Sequence, residues 1–314
     1  MRQGWLLQGR MVGMMSRVLV LGWVFAVVAQ CAWGEVPAIK VLEDVPYKSG
    51  DGLTEYEKER CKVDVYLPTT GTNFPVMVWF HGGGLTGGDK TKDNMPEVAG
   101  SLAKAGVAVV VANYRLSPKV KFPTYLEDGA AAVKWAKDHL GARGADVNRI
   151  FVGGHSAGAY MALMIGLDER HLAGVGLGLK DLAGLVPVSG QTMTHFTVRV
   201  ERGQDKNRTV ADEAAPVHFA GKEGPPMLLL MGDKDWPARL EENAYFVALC
   251  RVAGHEAAHL LKVADRDHGS IFKKLSAADD VGGRAVLRFL KAPSEFKLED
   301  EEITKSGAEV DFSR

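Results

Sequence analysis

The sequence predicts an α/β architecture, a mostly parallel central sheet with helices on both faces, and three observations point there. Short apolar, β-branched runs recur along the chain, separated by segments with helical periodicity. Single helices between such strands imply right-handed crossovers and parallel pairing. The glycines, 36 of 314 residues, gather in clusters, as tight backbone turns require.

The elements follow in order. Residues 61–67 (CKVDVYL) alternate with period two and predict a half-exposed strand. Residues 76–80 (VMVWF) and 107–112 (VAVVVA) are continuously apolar, which fits buried central strands. Between them, 95–105 reads as a helix closed by Gly106. Residues 125–140 carry apolar side chains at helical spacing and stop at Gly141. A strand at 150–153 leads into a small-residue helix from Ala157, and strands follow at 185–188 and 227–231 (MLLLM). A helix over 239–252, a strand near 257–263 and a helix over 284–290 complete the pattern. One domain, 35–293, accounts for these elements, without internal repeats. The polar connection at 192–224 is either a small lid or a surface excursion. The acidic segment 294–314 has no apolar face and predicts a flexible tail.

Residues 1–34 predict an export leader. Arg2, Arg10 and Arg17 precede the apolar run 18–29, and Ala32-Trp33-Gly34 offers a cleavage site before Glu35. The uncharged stretch 18–34 falls short of the roughly 20 residues of a spanning helix. The expectation is therefore a secreted or periplasmic protein with no stable membrane association after cleavage; a retained anchor is the alternative. Cys31 would leave with the leader, and Cys61 and Cys250 are expected as two separate buried thiols. Lys+Arg 38 against Asp+Glu 39 leaves no basic excess to neutralise a phosphate backbone, which argues against a nucleic-acid partner.

The strongest chemical signal is Gly154-His155-Ser156-Ala157-Gly158 between a strand and a helix. A G-x-S-x-G turn there lifts the serine hydroxyl out of the sheet, and the glycines avoid collisions with neighbouring backbone. The helix N-terminus at Ala157 directs backbone N–H groups toward a developing oxyanion. His81-Gly82-Gly83-Gly84, directly after an early strand, is the kind of segment that brings further N–H groups to the same point. A phosphate-binding loop is the rival reading, but Asp89 separates Gly88 from Lys90 and breaks the required spacing.

A serine hydroxyl needs a base, and the base needs an orienting group. Gly232-Asp233-Lys234-Asp235 follows the MLLLM strand, and His268 stands in a loop after the next strand. Asp235 is preferred to Asp233 because it lies further beyond the strand end. His268 is preferred to His218, His255 and His259 for its place after a strand. The order Ser, Asp, His is that of α/β-hydrolases.

HGGG, Asn113-Tyr114-Arg115-Leu116, GHSAG, GDKD and DHG stand in the order found in esterases of the hormone-sensitive-lipase-like and bacterial carboxylesterase type. The chain resembles that family over roughly residues 45 to 292. The resemblance implies an α/β-hydrolase fold with a small cap or none, a Ser156–His268–Asp235 triad, and an oxyanion hole from Gly83, Gly84 and Ala157. It implies hydrolysis of a small-molecule carboxylic ester, of short-chain, acetyl or aryl type, without metal or cofactor. Asn113 stands where the family usually has Asp, as in feruloyl- and acetylesterase-like or arylformamidase-like branches. Formamide or peptide hydrolysis on the same triad is the alternative, and a non-catalytic binding member of the fold is another.

His255-Glu256-Ala257-Ala258-His259 also matches the H-E-x-x-H pattern of zinc peptidases. That pattern chelates one metal only on a helix. On a strand, its two histidines stand roughly 13 Å apart at about 3.3 Å per residue, so a zinc peptidase is the distant alternative.

Overall fold

The computed structural model describes residues 38–299 and Glu302; the leader expected at 1–34 lies outside them. The elements are β1 (Ile39–Pro46), α1 (Glu55–Arg60), β2 (Lys62–Pro68), β3 (Phe74–Phe80), α2 (Met95–Lys104) and β4 (Ala108–Ala112). Next come α3 (Thr124–His139), β5 (Ala145–His155), α4 (Ala157–Leu167), α5 (Glu169–Ala173), β6 (Leu182–Val188) and α6 (Phe196–Glu201). The chain continues through β7 (Met227–Lys234), α7 (Arg239–Val252), β8 (Ala258–Asp267), α8 (Ser270–Lys273) and α9 (Val281–Lys291). Among the described residues one 8-stranded sheet runs in the order β1-β2-β4-β3-β5-β6-β7-β8. β1 pairs β2 and β2 pairs β4 antiparallel, and every later pairing is parallel.

Alternation along each strand divides the core in two. Val76, Val78 and Phe80 of β3 face one layer with α3 and α4, while Met77 and Trp79 face the other with α2 and α9. All residues of α4 are buried, as expected of a helix apolar on every side. It packs beneath the carboxyl ends of the central strands and carries the G-x-S-x-G turn at its start.

Several sequence expectations change. β2 is buried on both faces rather than half-exposed: Asp64 is covered because the Lys90 ammonium lies 2.7 Å from its carboxylate and the Asp44 N–H donates to it at 2.8 Å. β5 begins at Ala145, five residues before the apolar run that marks it in the sequence. β1 and α1 escaped the periodicity reading, although Thr54 and Glu57 form a capping box at the start of α1. The domain also extends past residue 293. Phe296, inside the segment expected to be a flexible tail, is buried against Phe289 and the His259 ring. Cys61, at the end of α1 rather than in a strand, and Cys250 are separate buried thiols.

The 192–224 connection is divided: its first part, through Arg199, packs against the loop after β3, while 202–203 and 205–209 are exposed at the surface. Thr192, Thr194, His195, Thr197 and Arg199 are buried in it. Thr197 Oγ1 donates to the Gly84 carbonyl, and the Gln191 side-chain oxygen accepts the Phe196 N–H at 3.2 Å.

Candidate active site

β5 ends at His155 and α4 starts at Ala157, so Ser156 alone makes the turn between them. Its backbone sits at φ 57°, ψ −115°, a region non-glycine residues rarely occupy. The turn is held by the Ser156 N–H donating to the Val188 carbonyl at 2.8 Å, and by the Ser156 carbonyl accepting from Ala159 and Tyr160 at 3.1 Å. The flanking glycines are steric necessities. A Cβ at Gly158 would lie 2.0 Å from the Phe80 carbonyl oxygen, and one at Gly154 would lie 2.4 Å from Gly158 backbone.

Ser156 Oγ lies 2.9 Å from His268 Nε2, and His268 Nδ1 lies 2.8 Å from Asp235 Oδ1. Three strand ends, β5, β7 and β8, thus bring together residues separated by up to 112 positions. Asp235 is almost wholly covered, its side chain 1% exposed. The Trp236 N–H donates to Oδ1 at 2.6 Å, and the Ser189 hydroxyl donates to Oδ2. Burial pushes the Asp235 pKa up, but the bonds from His268, Ser189 and Trp236 outweigh it and hold the carboxyl below its usual range. Since a carboxylate only accepts, His268 Nδ1 carries a proton toward Asp235 and Nε2 faces the serine hydroxyl. The Trp236 indole, 49% exposed, stacks on the His268 ring at 3.6 Å between centroids.

The rival Asp233 and the carboxylates near His268 in sequence point elsewhere. Asp233 accepts the Arg266 N–H, Asp265 pairs with Lys234, and Asp267 caps the turn at Gly269 and Ser270.

The His81–Gly84 segment leaves β3 beside the serine turn. Gly83 at φ 109° and Gly84 at φ 65° need a conformation that L side chains rarely adopt. Gly83 and Gly84 line the same cavity as Ser156, and no backbone partner takes their N–H groups among the described residues. Ala157 is the first residue of α4, where an N–H has no partner within the helix.

Arg60 organises this loop, and nothing in the sequence pattern marked it. Its guanidinium donates to the Tyr114 carbonyl at 3.0 Å, the Gly88 carbonyl at 3.2 Å and Asp89 at 3.3 Å. It also lies 3.2 Å from His81 Nε2, which must accept, leaving Nδ1–H to donate to the Gly82 carbonyl. Burial lowers the His81 pKa to about 4, so the ring stays neutral in this role. Asn113 fits the same loop: its amide donates to Asp89 at 2.8 Å and accepts the Lys90 N–H at 2.7 Å. An aspartate there would oppose Asp89 with a second carboxylate. Ser189 was likewise missed; its only signal was its place at the end of a buried strand.

The cavity is about 460 Å³, walled by Phe196, Trp236 and Phe272, with Thr86, Asp93 and Lys273 also lining it. Met193, three residues before Phe196, is not among its lining residues. His255 and His259 lie away from it. His255 Nε2 is 3.2 Å from the Pro225 carbonyl, and His259 lies within β8 rather than on a helix shared with His255.

Comparison with known proteins finds esterases in sequence and in fold. The BD-FAE family model matches residues 63–175, which include the His81–Gly84 loop and Ser156. The versiconal hemiacetal acetate esterase of Dothistroma septosporum is 31% identical over 175 residues, 55% of this chain and 51% of that one. Carboxylesterase NlhH of Mycobacterium tuberculosis is 35% identical over 126 residues, 40% of this chain and 37% of that one. The chain thus spans about half or less of the curated relatives it matches. Among solved structures, a truncated carbohydrate esterase from gut microbiota superposes with TM-score 0.67 at 18% identity, covering 83% of this chain and 98% of that one. Esterase B from Lactobacillus rhamnosis gives TM-score 0.67 at 17% identity, covering 86% and 90%. The fold is the α/β-hydrolase fold.

Proposed function

We propose that the protein hydrolyses carboxylic esters through an acyl-enzyme on Ser156. His268 Nε2 removes the Ser156 proton as Oγ attacks the ester carbonyl, and the N–H groups of Gly83, Gly84 and Ala157 receive the oxyanion. The tetrahedral intermediate collapses with the C–O bond to the alcohol breaking, and His268 returns its proton to that leaving oxygen. A water then gives a proton to His268 and attacks the acyl carbonyl, releasing the acid and restoring the serine hydroxyl. Asp235 holds Nδ1–H and faces the imidazolium that forms twice per cycle.

The observation that carries this reading is the unbroken hydrogen-bonded line from Ser156 Oγ through His268 to Asp235, at 2.9 and 2.8 Å. The small cavity with aromatic walls supports short acyl groups or aryl esters as the substrate class. The test is Ser156→Ala, assayed with p-nitrophenyl acetate and with an aryl formamide. Loss of nearly all ester turnover is expected, with the wild type favouring ester over formamide. Ordinary turnover by the variant would refute the nucleophile, and preferred formamide cleavage would refute the ester assignment.

We also propose export, supported by the Arg-flanked apolar run and small-residue site before Glu35. N-terminal sequencing of protein recovered from outside the cytoplasm should begin at Glu35; an intact leader would contradict cleavage.

A further inference from the structure

We infer that His155, the residue before the proposed nucleophile, is a positioning residue whose ring ties the serine turn to the loop carrying His268. The inference rests on the catalytic reading of Ser156 and His268 given above. His155 Nε2 lies 2.6 Å from the His268 carbonyl oxygen. A carbonyl only accepts, so the proton is on Nε2 and the bond runs from His155 to His268.

The ring is held from two sides. Phe272 of α8 stacks on it at 5.2 Å between centroids and 16° between planes. Its Nδ1 edge faces Gly82, where a Cβ would meet Nδ1 at 3.2 Å and Ser156 Cβ at 3.3 Å. One imidazole therefore touches the glycine loop, the serine turn and the histidine loop. Burial, and then the neighbouring His268, lower its pKa to about 4, which leaves a single proton on the ring at neutral pH.

The geometry closes a small circuit. His155 is bonded covalently to Ser156, Ser156 Oγ meets His268 Nε2, and the His268 carbonyl returns to His155. His268 sits between the end of β8 at Asp267 and the start of α8 at Ser270, outside both regular elements. Without the His155 bond, its ring is located by Asp235 and the Trp236 stack, while its backbone loses the strap to the nucleophile's own turn. An error of a fraction of an ångström between nucleophile and base falls on kcat rather than on ground-state binding.

The test compares His155→Phe, which keeps a ring against Phe272 but removes the donor, with His155→Gln, which restores an amide donor at similar reach. Both are made in the full chain and measured for kcat and KM on p-nitrophenyl butyrate, for the rate of inactivation by paraoxon, and for thermal melting. His155→Phe should lower kcat about tenfold, the scale of one lost hydrogen bond, with KM within about twofold. Inactivation by paraoxon should slow in parallel, and His155→Gln should recover at least half the loss on a logarithmic scale. The inference is overturned if His155→Phe keeps kcat within about twofold, if glutamine is no better than phenylalanine, or if the loss appears in KM alone. If wild-type turnover survives Ser156→Ala, the catalytic reading falls and takes this inference with it, an outcome visible without any His155 variant.

Discussion

Replacing Asp235 with Asn separates charge from geometry in the proposed triad. Oδ1 accepts from both His268 Nδ1 and the Trp236 N–H, at 2.8 and 2.6 Å, so the amide oxygen of an asparagine would take that position. The new NH2 group would then face Ser189 Oγ, which can accept where it now donates. Shape and hydrogen-bond count are thereby retained, and the melting temperature should move by no more than a few degrees. What is lost is a negative charge facing an imidazolium from a site only 1% exposed. At about 4 Å and an effective dielectric of about 20, that attraction is about 4 kcal/mol, and about 1.4 kcal/mol corresponds to a factor of ten. The expected result is a fall in kcat of about a thousandfold on an aryl acetate, with KM little changed. Asp233→Asn is the control, because Asp233 accepts from Arg266 and has no contact with His268; it should keep kcat within about twofold. A kcat for Asp235→Asn within tenfold of wild type, or equal losses in both variants, would refute the assignment.

Arg60→Ala removes four contacts around the glycine loop and should lower kcat/KM by about ten- to a hundredfold. Arg60→Lys should not rescue it, since an ammonium lacks the planar fork; full rescue by lysine would show that charge alone matters. Phe196→Ala should shift the ratio of octanoate to acetate turnover upward by several-fold, because the ring walls the cavity beside Gly84; an unchanged ratio would remove Phe196 from the acyl wall. Stability should fall in mild acid. His81 has a folded pKa of about 4, below the roughly 6.5 of an unfolded histidine, so below about 6.5 the unfolded chain binds the extra proton first. The fold keeps full stability above that value and loses it as pH drops toward 4, by about 2 kcal/mol at pH 5 from this residue. Denaturant midpoints at pH 7.5 and 5.0 check the sign, and greater stability at pH 5.0 would contradict it.

The succession of strands and helices, and the strand-end positions of the three triad candidates, were legible because each candidate follows a run whose pattern is local, whereas the strand order was not. MLLLM, VMVWF and the glycines around Ser156 announce strand ends without any knowledge of partners. What stayed hidden is what depends on distant contacts. Asp64 looks like the polar side of an exposed strand until Lys90 is seen against it. β1 carries little periodic signal because, among the described residues, only one of its edges is paired, and its residues are mostly exposed. Arg60 is an unremarked cation in sequence, and only the fold brings it to carbonyls at Gly88 and Tyr114. Phe296 shows the same limit: one aromatic in an acidic stretch has no pattern, yet Phe289 and His259 give it a place to bury.

The decisive measurement is intact-protein and peptide mass spectrometry after treatment with paraoxon. One diethylphosphoryl group should appear per chain, on the peptide holding Ser156, with activity lost in proportion to labelling. Complete labelling at another residue, or full turnover by chains modified at Ser156, would contradict a serine nucleophile in this cavity.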